Sequence, residues 1–123
     1  MRAREQPGSS TGVRAFWAPE RTEVLAAAGA WAASLRRTRP EVGRVGLFGS
    51  YARGNYAPGS DLDILVVVRH SPEPRWFLRT AQIDTSTLPV GVDLFVFTDP
   101  EVERLQLTSA WFRHIVSETI WLE

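Results

Sequence analysis

The sequence predicts an α/β fold in which a small mixed β-sheet packs against helices. Short apolar runs rich in β-branched residues alternate with segments whose apolar residues recur at helical spacing, and this alternation is typical of layered α/β proteins. The run over residues 62–68 is almost continuously apolar, as expected of a central strand that is covered on both faces. The predicted order is helix, strand, short helix, strand, helix, strand, helix and short strand.

The first predicted helix begins at Pro19 and ends before Pro40. Proline suits the first helical position, and a proline that follows a basic last turn stops a helix. The apolar residues of this segment form one stripe at helical spacing: Val24, Ala28, Trp31 and Leu35. We expect this stripe to face the core.

The later elements are apolar runs between turn residues. The predicted strands cover residues 44–48, 62–68 and 92–97 and a short stretch within 119–122, and the predicted helices between them cover residues 50–53 and about 75–85. Asp99 and Pro100 suit a helix cap and the first helical position, so we expect them to open one long closing helix whose apolar face extends to Val116.

Residues 1–18 are polar and rich in turn residues, which predicts a flexible N-terminal tail. Residues 19–123 are then expected to form a single domain, since a chain of 123 residues favours one core.

The composition narrows the function classes. Acidic and basic residues balance at 14 each, so we expect neither a nucleic acid nor an anionic membrane as the main partner. Cysteine is absent, which excludes disulfides and thiolate metal sites and fits the cytoplasm. No apolar run approaches the ~18 residues that span a bilayer, and no apolar stretch follows the N-terminal arginines as in a secretory signal.

The strand ends carry the residues that indicate chemistry. Asp61 and Asp63 begin the second strand two positions apart, so they point to the same side of the sheet. Asp93 begins the third strand, and Gly49 with Ser50 ends the first. These residues meet only if the first two strands are antiparallel and the next two are parallel, which a crossover helix permits.

Three carboxylates at one sheet edge repel one another, and divalent cations relieve that repulsion. Oxygen ligands suit Mg²⁺, with Mn²⁺ as the alternative ion. Two such ions roughly 4 Å apart clamp both the attacking and the leaving oxygens of a phosphoryl displacement. The sequence therefore predicts a site for metal ions at Asp61, Asp63 and Asp93.

The Gly49-Ser50 turn suits a nucleotide triphosphate. Glycine allows close approach of the backbone to a phosphate, and free N–H groups at a helix start hold phosphate oxygens. Arg53, one turn along the predicted short helix, is placed to pair with the triphosphate. Either motif alone also fits ordinary turn chemistry, and it is their combination that predicts nucleotide chemistry.

These residues resemble the nucleotidyltransferase superfamily related to DNA polymerase beta, in particular its MNT (minimal nucleotidyltransferase) group. The signature of that superfamily is Gly-Ser, ten residues and Asp-X-Asp, which is similar to Gly49-Ser50 and Asp61-Leu62-Asp63 here. The resemblance implies that residues 19–123 form a nucleotidyltransferase domain. It also implies that Asp61 and Asp63 bind the metals, and that Asp93 completes the metal site and helps to deprotonate the acceptor hydroxyl.

The resemblance further implies a biological role. Small MNT proteins pair with helical HEPN toxins and act as antitoxins, by transferring AMP from ATP to a tyrosine of the toxin or by binding it. We therefore expect an AMP transferase with Mg²⁺ and ATP, and a HEPN partner. A non-catalytic antitoxin and a transferase for a small-molecule or RNA acceptor are the alternatives. Trp111, Phe112 and Trp121 near the end of the chain fit either a partner surface or a small core.

Overall fold

The computed structural model describes residues 19–122, in which helices and strands follow one another in the order predicted, except that two helices take the place of the closing helix. The flexible tail predicted for residues 1–18 lies outside the described residues. The elements are α1 (Arg21–Thr38), β1 (Val42–Phe48), α2 (Gly49–Arg53), β2 (Leu62–Val68), α3 (Trp76–Thr80), β3 (Val92–Thr98), α4 (Asp99–Thr108), α5 (Ala110–Glu118) and β4 (Ile120–Leu122).

The four strands form one mixed sheet in the order β3-β2-β1-β4. β1 is antiparallel to both β2 and β4, whereas β2 and β3 are parallel. The predicted fold class and strand directions are thus confirmed. Register places Asp63 beside Phe48 of β1 on one side and beside Asp93 of β3 on the other.

Each face of the sheet has its own core. Leu62, Ile64 and Val66 of β2 pack with the buried side of α1. Leu65 and Val67 point the other way, because side chains alternate along a strand, and they pack with residues of α4 and α5. We call this second side the α5 face. Asp63 alternates with Leu62 and Ile64, so it belongs to the α5 face.

Helix α1 starts two residues later than the proline pattern predicts. Glu20 is its N-cap, and a capping box joins Glu20 and Glu23, whose side chain accepts the Glu20 N–H at 2.9 Å. Pro19 therefore precedes the cap rather than occupying the first helical position. The predicted apolar stripe is confirmed, since all four of its residues are buried.

The predicted closing helix is two helices. Ser109 has an extended backbone (φ −128°, ψ 112°) and ends α4, and its hydroxyl accepts the Phe112 N–H at 3.1 Å to cap α5. Serine competes with the helical backbone in this way, which favours caps over helix interiors. The start of α4 also differs, because the cap is Thr98, in a capping box with Glu101, and Asp99 lies in the first turn.

Helix α3 is shorter than predicted and ends at Thr80. The Asp84 carboxylate accepts the Ser86 N–H at 2.9 Å, which forms a local turn in place of a further helical turn. Arg79 fixes the short helix to the sheet, because its guanidinium is buried and lies 2.7 Å from Glu101. Strand β1 begins at Val42, two residues before the predicted start.

No helix within residues 19–122 combines the length and the apolar character that crossing a membrane requires.

A substitution at Gly46 tests the packing of β4 on β1. A Cβ at Gly46 would lie 2.3 Å from Thr119 Cγ2 and 2.8 Å from Trp121 Cε3, and Thr119 is held by its hydroxyl bond to the Ile115 carbonyl. We expect Gly46→Ala to lower the free energy of unfolding by about 2 kcal/mol through overpacking, measured by urea denaturation.

Gly43→Ala on the same strand is the matched control. Its Cβ would lie 3.5 Å from the Val67 carbonyl oxygen, an ordinary contact, so we expect a change within about 0.5 kcal/mol. Equal effects of the two substitutions would contradict the assigned packing.

Candidate functional site

The site lies at the edge of the sheet where β1 ends and β2 and β3 begin. Asp63 and Asp93 are direct register partners on parallel strands, so their side chains leave the sheet on the same side. Asp61 immediately precedes β2 and is exposed, as is Asp93, whereas Asp63 is half-buried. The predicted meeting of the three strand ends is therefore observed.

Two glycines stand directly against the carboxylates. Gly49 has φ 76°, and a Cβ there would lie 2.0 Å from Asp63 Oδ2. A Cβ at Gly91 would lie 2.5 Å from Asp61 Oδ1. At Gly49, where φ is also positive, only glycine leaves room for the half-buried Asp63 carboxylate.

Gly91 was missed from the sequence. It lies two residues before Asp93, and it is next to Asp61 because Leu62 and Val92 are register partners. The available signal was a glycine at the start of a strand predicted to be parallel to an acid-bearing strand.

Burial and the charges around Asp63 raise its pKa to about 6. Burial is the largest cause, followed by the negative charges of Asp93 and Asp61, while Arg53 acts in the opposite direction and Glu118 adds to the rise. Repulsion among neighbouring carboxylates is the predicted electrostatic signature of this site.

The residues predicted to hold phosphate lie on the short helix α2. Gly49 opens α2 and is buried, Ser50 follows it, and Arg53 lies in its last turn with an exposed side chain. The positive charge of Arg53 opposes the rise in the pKa of Asp63. Tyr51, between them, is buried and stacks on Tyr56 with ring centroids 4.4 Å apart, so it packs within the core.

Glu118, the last residue of α5, was also missed from the sequence. Its Oε2 accepts the Gly49 N–H at 3.0 Å, and its Oε1 lies 3.1 Å from Arg53 Nη1. Burial acts to raise the pKa of Glu118, but the bonds from Gly49 and Arg53 outweigh it, and the net pKa is lowered. No local pattern marks this residue, because Gly49 and Arg53 lie 69 and 65 positions away from it in sequence.

The donor atoms fit Mg²⁺ held jointly with a phosphate ligand. No group of three or more Asp, Glu, His or Cys side chains within residues 19–122 is arranged as a ready-made metal cage. Mg²⁺ is commonly held by one or two carboxylates together with substrate phosphates and water. The carboxylate oxygens beside Gly49 fit this shared coordination better than they fit a site in which the protein supplies every ligand.

The raised pKa of Asp63 predicts that ionising this residue weakens the fold. Its pKa is near 3.9 in an unfolded chain and about 6 in the folded protein. The contribution of neutral Asp63 to the free energy of unfolding is therefore fully present below about pH 4, and it is lost as the pH rises through about 6.

We expect Asp63→Asn to raise the free energy of unfolding by about 1–2 kcal/mol at pH 8 and to change it little at pH 3.5. This range is smaller than the pKa shift alone implies, because solvent screens a partly exposed side chain. Urea denaturation in EDTA measures this difference. Asp99→Asn, at an exposed position in the first turn of α4, is the control and should give no such gain. A variant less stable than the wild type at pH 8 would contradict the assigned environment.

Part of the chain is similar in sequence to a known protein family. Residues 32–88, which include Gly49, Ser50, Asp61 and Asp63, match the family model described as "Nucleotidyltransferase domain". Comparison with curated proteins gives no significant match.

Solved structures similar to the chain include the following two. A candidate nucleotidyltransferase from Sulfolobus solfataricus is 25% identical, with 82% of this chain and 80% of that chain covered and a TM-score of 0.59. A toxin–antitoxin structure with AMP-PNP is 26% identical, with 77% and 72% covered and a TM-score of 0.52. The chain thus has the nucleotidyltransferase fold, and residues 32–88 carry the match to the nucleotidyltransferase domain.

Proposed function

We propose that residues 19–123 form a single nucleotidyltransferase domain that transfers AMP from ATP to a tyrosine hydroxyl of a HEPN toxin, and that it acts as a cytoplasmic antitoxin. The observation that carries the proposal is the register of Asp63 with Asp93, beside a glycine whose Cβ position is filled by the Asp63 carboxylate. The similarity to a toxin–antitoxin structure with AMP-PNP supports both the nucleotide and the toxin partner.

In this proposal Asp61, Asp63 and Asp93 hold two Mg²⁺ ions together with the triphosphate. Bound ions supply positive charge that offsets the charge of the phosphates and the carboxylates. Burial is the largest cause of the raised pKa of Asp63, and the charges of Asp93 and Asp61 add to it; bound cations would relieve that added repulsion.

Gly49 and Ser50 hold the β- and γ-phosphate oxygens in the proposal, and Arg53 pairs with the same tail. Gly49 has no side chain, so it leaves room for the Asp63 carboxylate directly against the backbone N–H that is proposed to bind phosphate. Arg53 is exposed and pairs with Glu118, and its planar fork has the donors to hold two phosphate oxygens once it turns toward a ligand.

Asp93 is assigned to the acceptor side. It is exposed at the open edge strand β3, so a hydroxyl from a partner can reach its carboxylate, which accepts the proton. The acceptor oxygen then bonds to the α-phosphorus of ATP, and the bond from that phosphorus to the leaving pyrophosphate breaks. No protein nucleophile is needed for this transfer.

An aromatic patch on the α5 face supports a protein acceptor. It consists of Trp76, Phe77, Phe95, Phe97 and Trp111, whose rings contact one another. Phe95 follows Asp93 by two positions on β3, so both leave the sheet on the same side. Exposed aromatics of this kind mark protein interfaces. Phe112, by contrast, is buried in the core.

The decisive experiment uses ATP labelled on its α-phosphate, with Mg²⁺ and the protein encoded by the adjacent gene. We expect label on the partner with the wild type and none with Asp61→Asn combined with Asp63→Asn, because the metal ligands are lost. Asp99→Asn is the matched control and should keep the activity. Label transfer by the double variant would overturn the site assignment, and an unlabelled but tightly bound partner would favour the non-catalytic antitoxin.

The aromatic patch yields a separate prediction for partner binding. Trp111 is 58% exposed and contacts Phe95 edge-on at 6.4 Å between ring centroids. We expect Trp111→Ala to weaken the complex at least about tenfold in calorimetry, as for an interface hot spot. Leu107→Ala, at an 83% exposed position outside the patch, should leave affinity unchanged, and equal losses would place the interface elsewhere.

A further inference from the structure

Glu118 already binds the groups that the proposed function assigns to phosphate. Its carboxylate accepts the Gly49 N–H at 3.0 Å and lies 3.1 and 3.2 Å from Arg53 Nη1 through its two oxygens. His114 Nε2 lies 3.7 Å from Oε1. An anionic side chain therefore sits at the contact point proposed for an anionic ligand.

The fold holds Glu118 in this position from both directions. Phe112 and Ile115 anchor α5 on the sheet, and Glu118 is the last residue of that helix. Strand β4 follows at once and pairs with β1, the strand that leads directly into Gly49. The Glu118 side chain is only 16% exposed, so its carboxylate is directed inward rather than into solvent.

A carboxylate and a phosphate oxygen compete for the same donors. A backbone N–H is a single donor, so Gly49 cannot serve both acceptors at full strength. Two anions at this point also repel, and Glu118 adds to the negative charge around Asp63. The Glu118 carboxylate and a phosphate group therefore cannot both bind favourably to Gly49 and Arg53 at the same time.

We propose that Glu118 is an autoinhibitory contact, whose carboxylate occupies Gly49 and Arg53 in the free protein and must be displaced by the phosphate tail of a nucleotide. This inference rests on the proposed function, since it takes Gly49 and Arg53 as phosphate-binding groups. Displacement costs a fixed amount of free energy, which a triphosphate offsets through several charged contacts. A ligand without phosphates gains nothing from displacing Glu118, so the contact acts only against ligands that carry a phosphate tail.

Calorimetric titration with AMP-PNP and Mg²⁺ tests the proposal. We expect Glu118→Gln to bind AMP-PNP about tenfold more tightly than the wild type. The neutral glutamine side chain binds Gly49 and Arg53 more weakly than the Glu118 carboxylate does, so it competes less with phosphate. We also expect its melting temperature without nucleotide to be lower, since the bonds to Gly49 and Arg53 stabilise the free fold. A merely structural residue would lower stability without improving affinity.

A second Glu118 variant and a control variant complete the test. Glu118→Asp retains the charge but shortens the side chain by one methylene, so it should also bind AMP-PNP more tightly, and it serves if Glu118→Gln fails to fold. Glu103→Gln, at an exposed position on α4, is the charge-matched control and should behave as the wild type. Adenosine lacks phosphates, so its affinity should be the same for all forms.

The outcomes separate this inference from the proposed function. Tighter AMP-PNP binding by both Glu118 variants with unchanged adenosine binding supports autoinhibition. AMP-PNP binding by the wild type that is equal or weaker in the variants overturns autoinhibition and leaves the nucleotide site intact. Absence of AMP-PNP binding to every form overturns the proposed function and this inference with it.

Discussion

The register between β2 and its two neighbours is the constraint on which the site depends. Antiparallel pairing places the end of β1 beside the start of β2, and parallel pairing places the start of β3 at the same level. A slip of one residue would turn Asp63 to the opposite face. The buried apolar residues of β2 resist such a slip, because Leu62 and Ile64 would then leave the α1 core. Core packing thus fixes the position of the carboxylates.

The site carries a local electrostatic cost that the rest of the fold must offset. Asp63 is half-buried among other acids, and its pKa is raised for that reason. Destabilising clusters of this kind are typical of functional sites, where a ligand or ion relieves the repulsion. Glu118 adds a further negative charge, and Gly49 and Arg53 bind its carboxylate. The net pKa shifts of these two carboxylates have opposite directions: the pKa of Glu118 is lowered, whereas that of Asp63 is raised.

Local pattern predicted the sheet well and the details of the helices less well. The bounds of β2 and the directions of the β1–β2 and β2–β3 pairs followed from a continuous apolar run, a crossover helix and the need to bring acids together. The break at Ser109 was missed because apolar residues continue at helical spacing across it, and only the Ser109 hydroxyl reveals the second cap. Gly91 and Glu118 were missed because their partners are distant in sequence. The roles assigned to the site residues stay predictions.

The most direct measurement of the central claim is paramagnetic NMR with Mn²⁺ and AMP-PNP on isotopically labelled protein. If nucleotide and metal bind where the three strand ends meet, the amide signals of Gly49, Ser50, Asp63 and Asp93 broaden first, at substoichiometric Mn²⁺. Signals on the α1 side of the sheet, such as those of Ala28 and Ala32, then stay sharp. Broadening centred on any other part of the molecule, or none that depends on the nucleotide, would contradict the account.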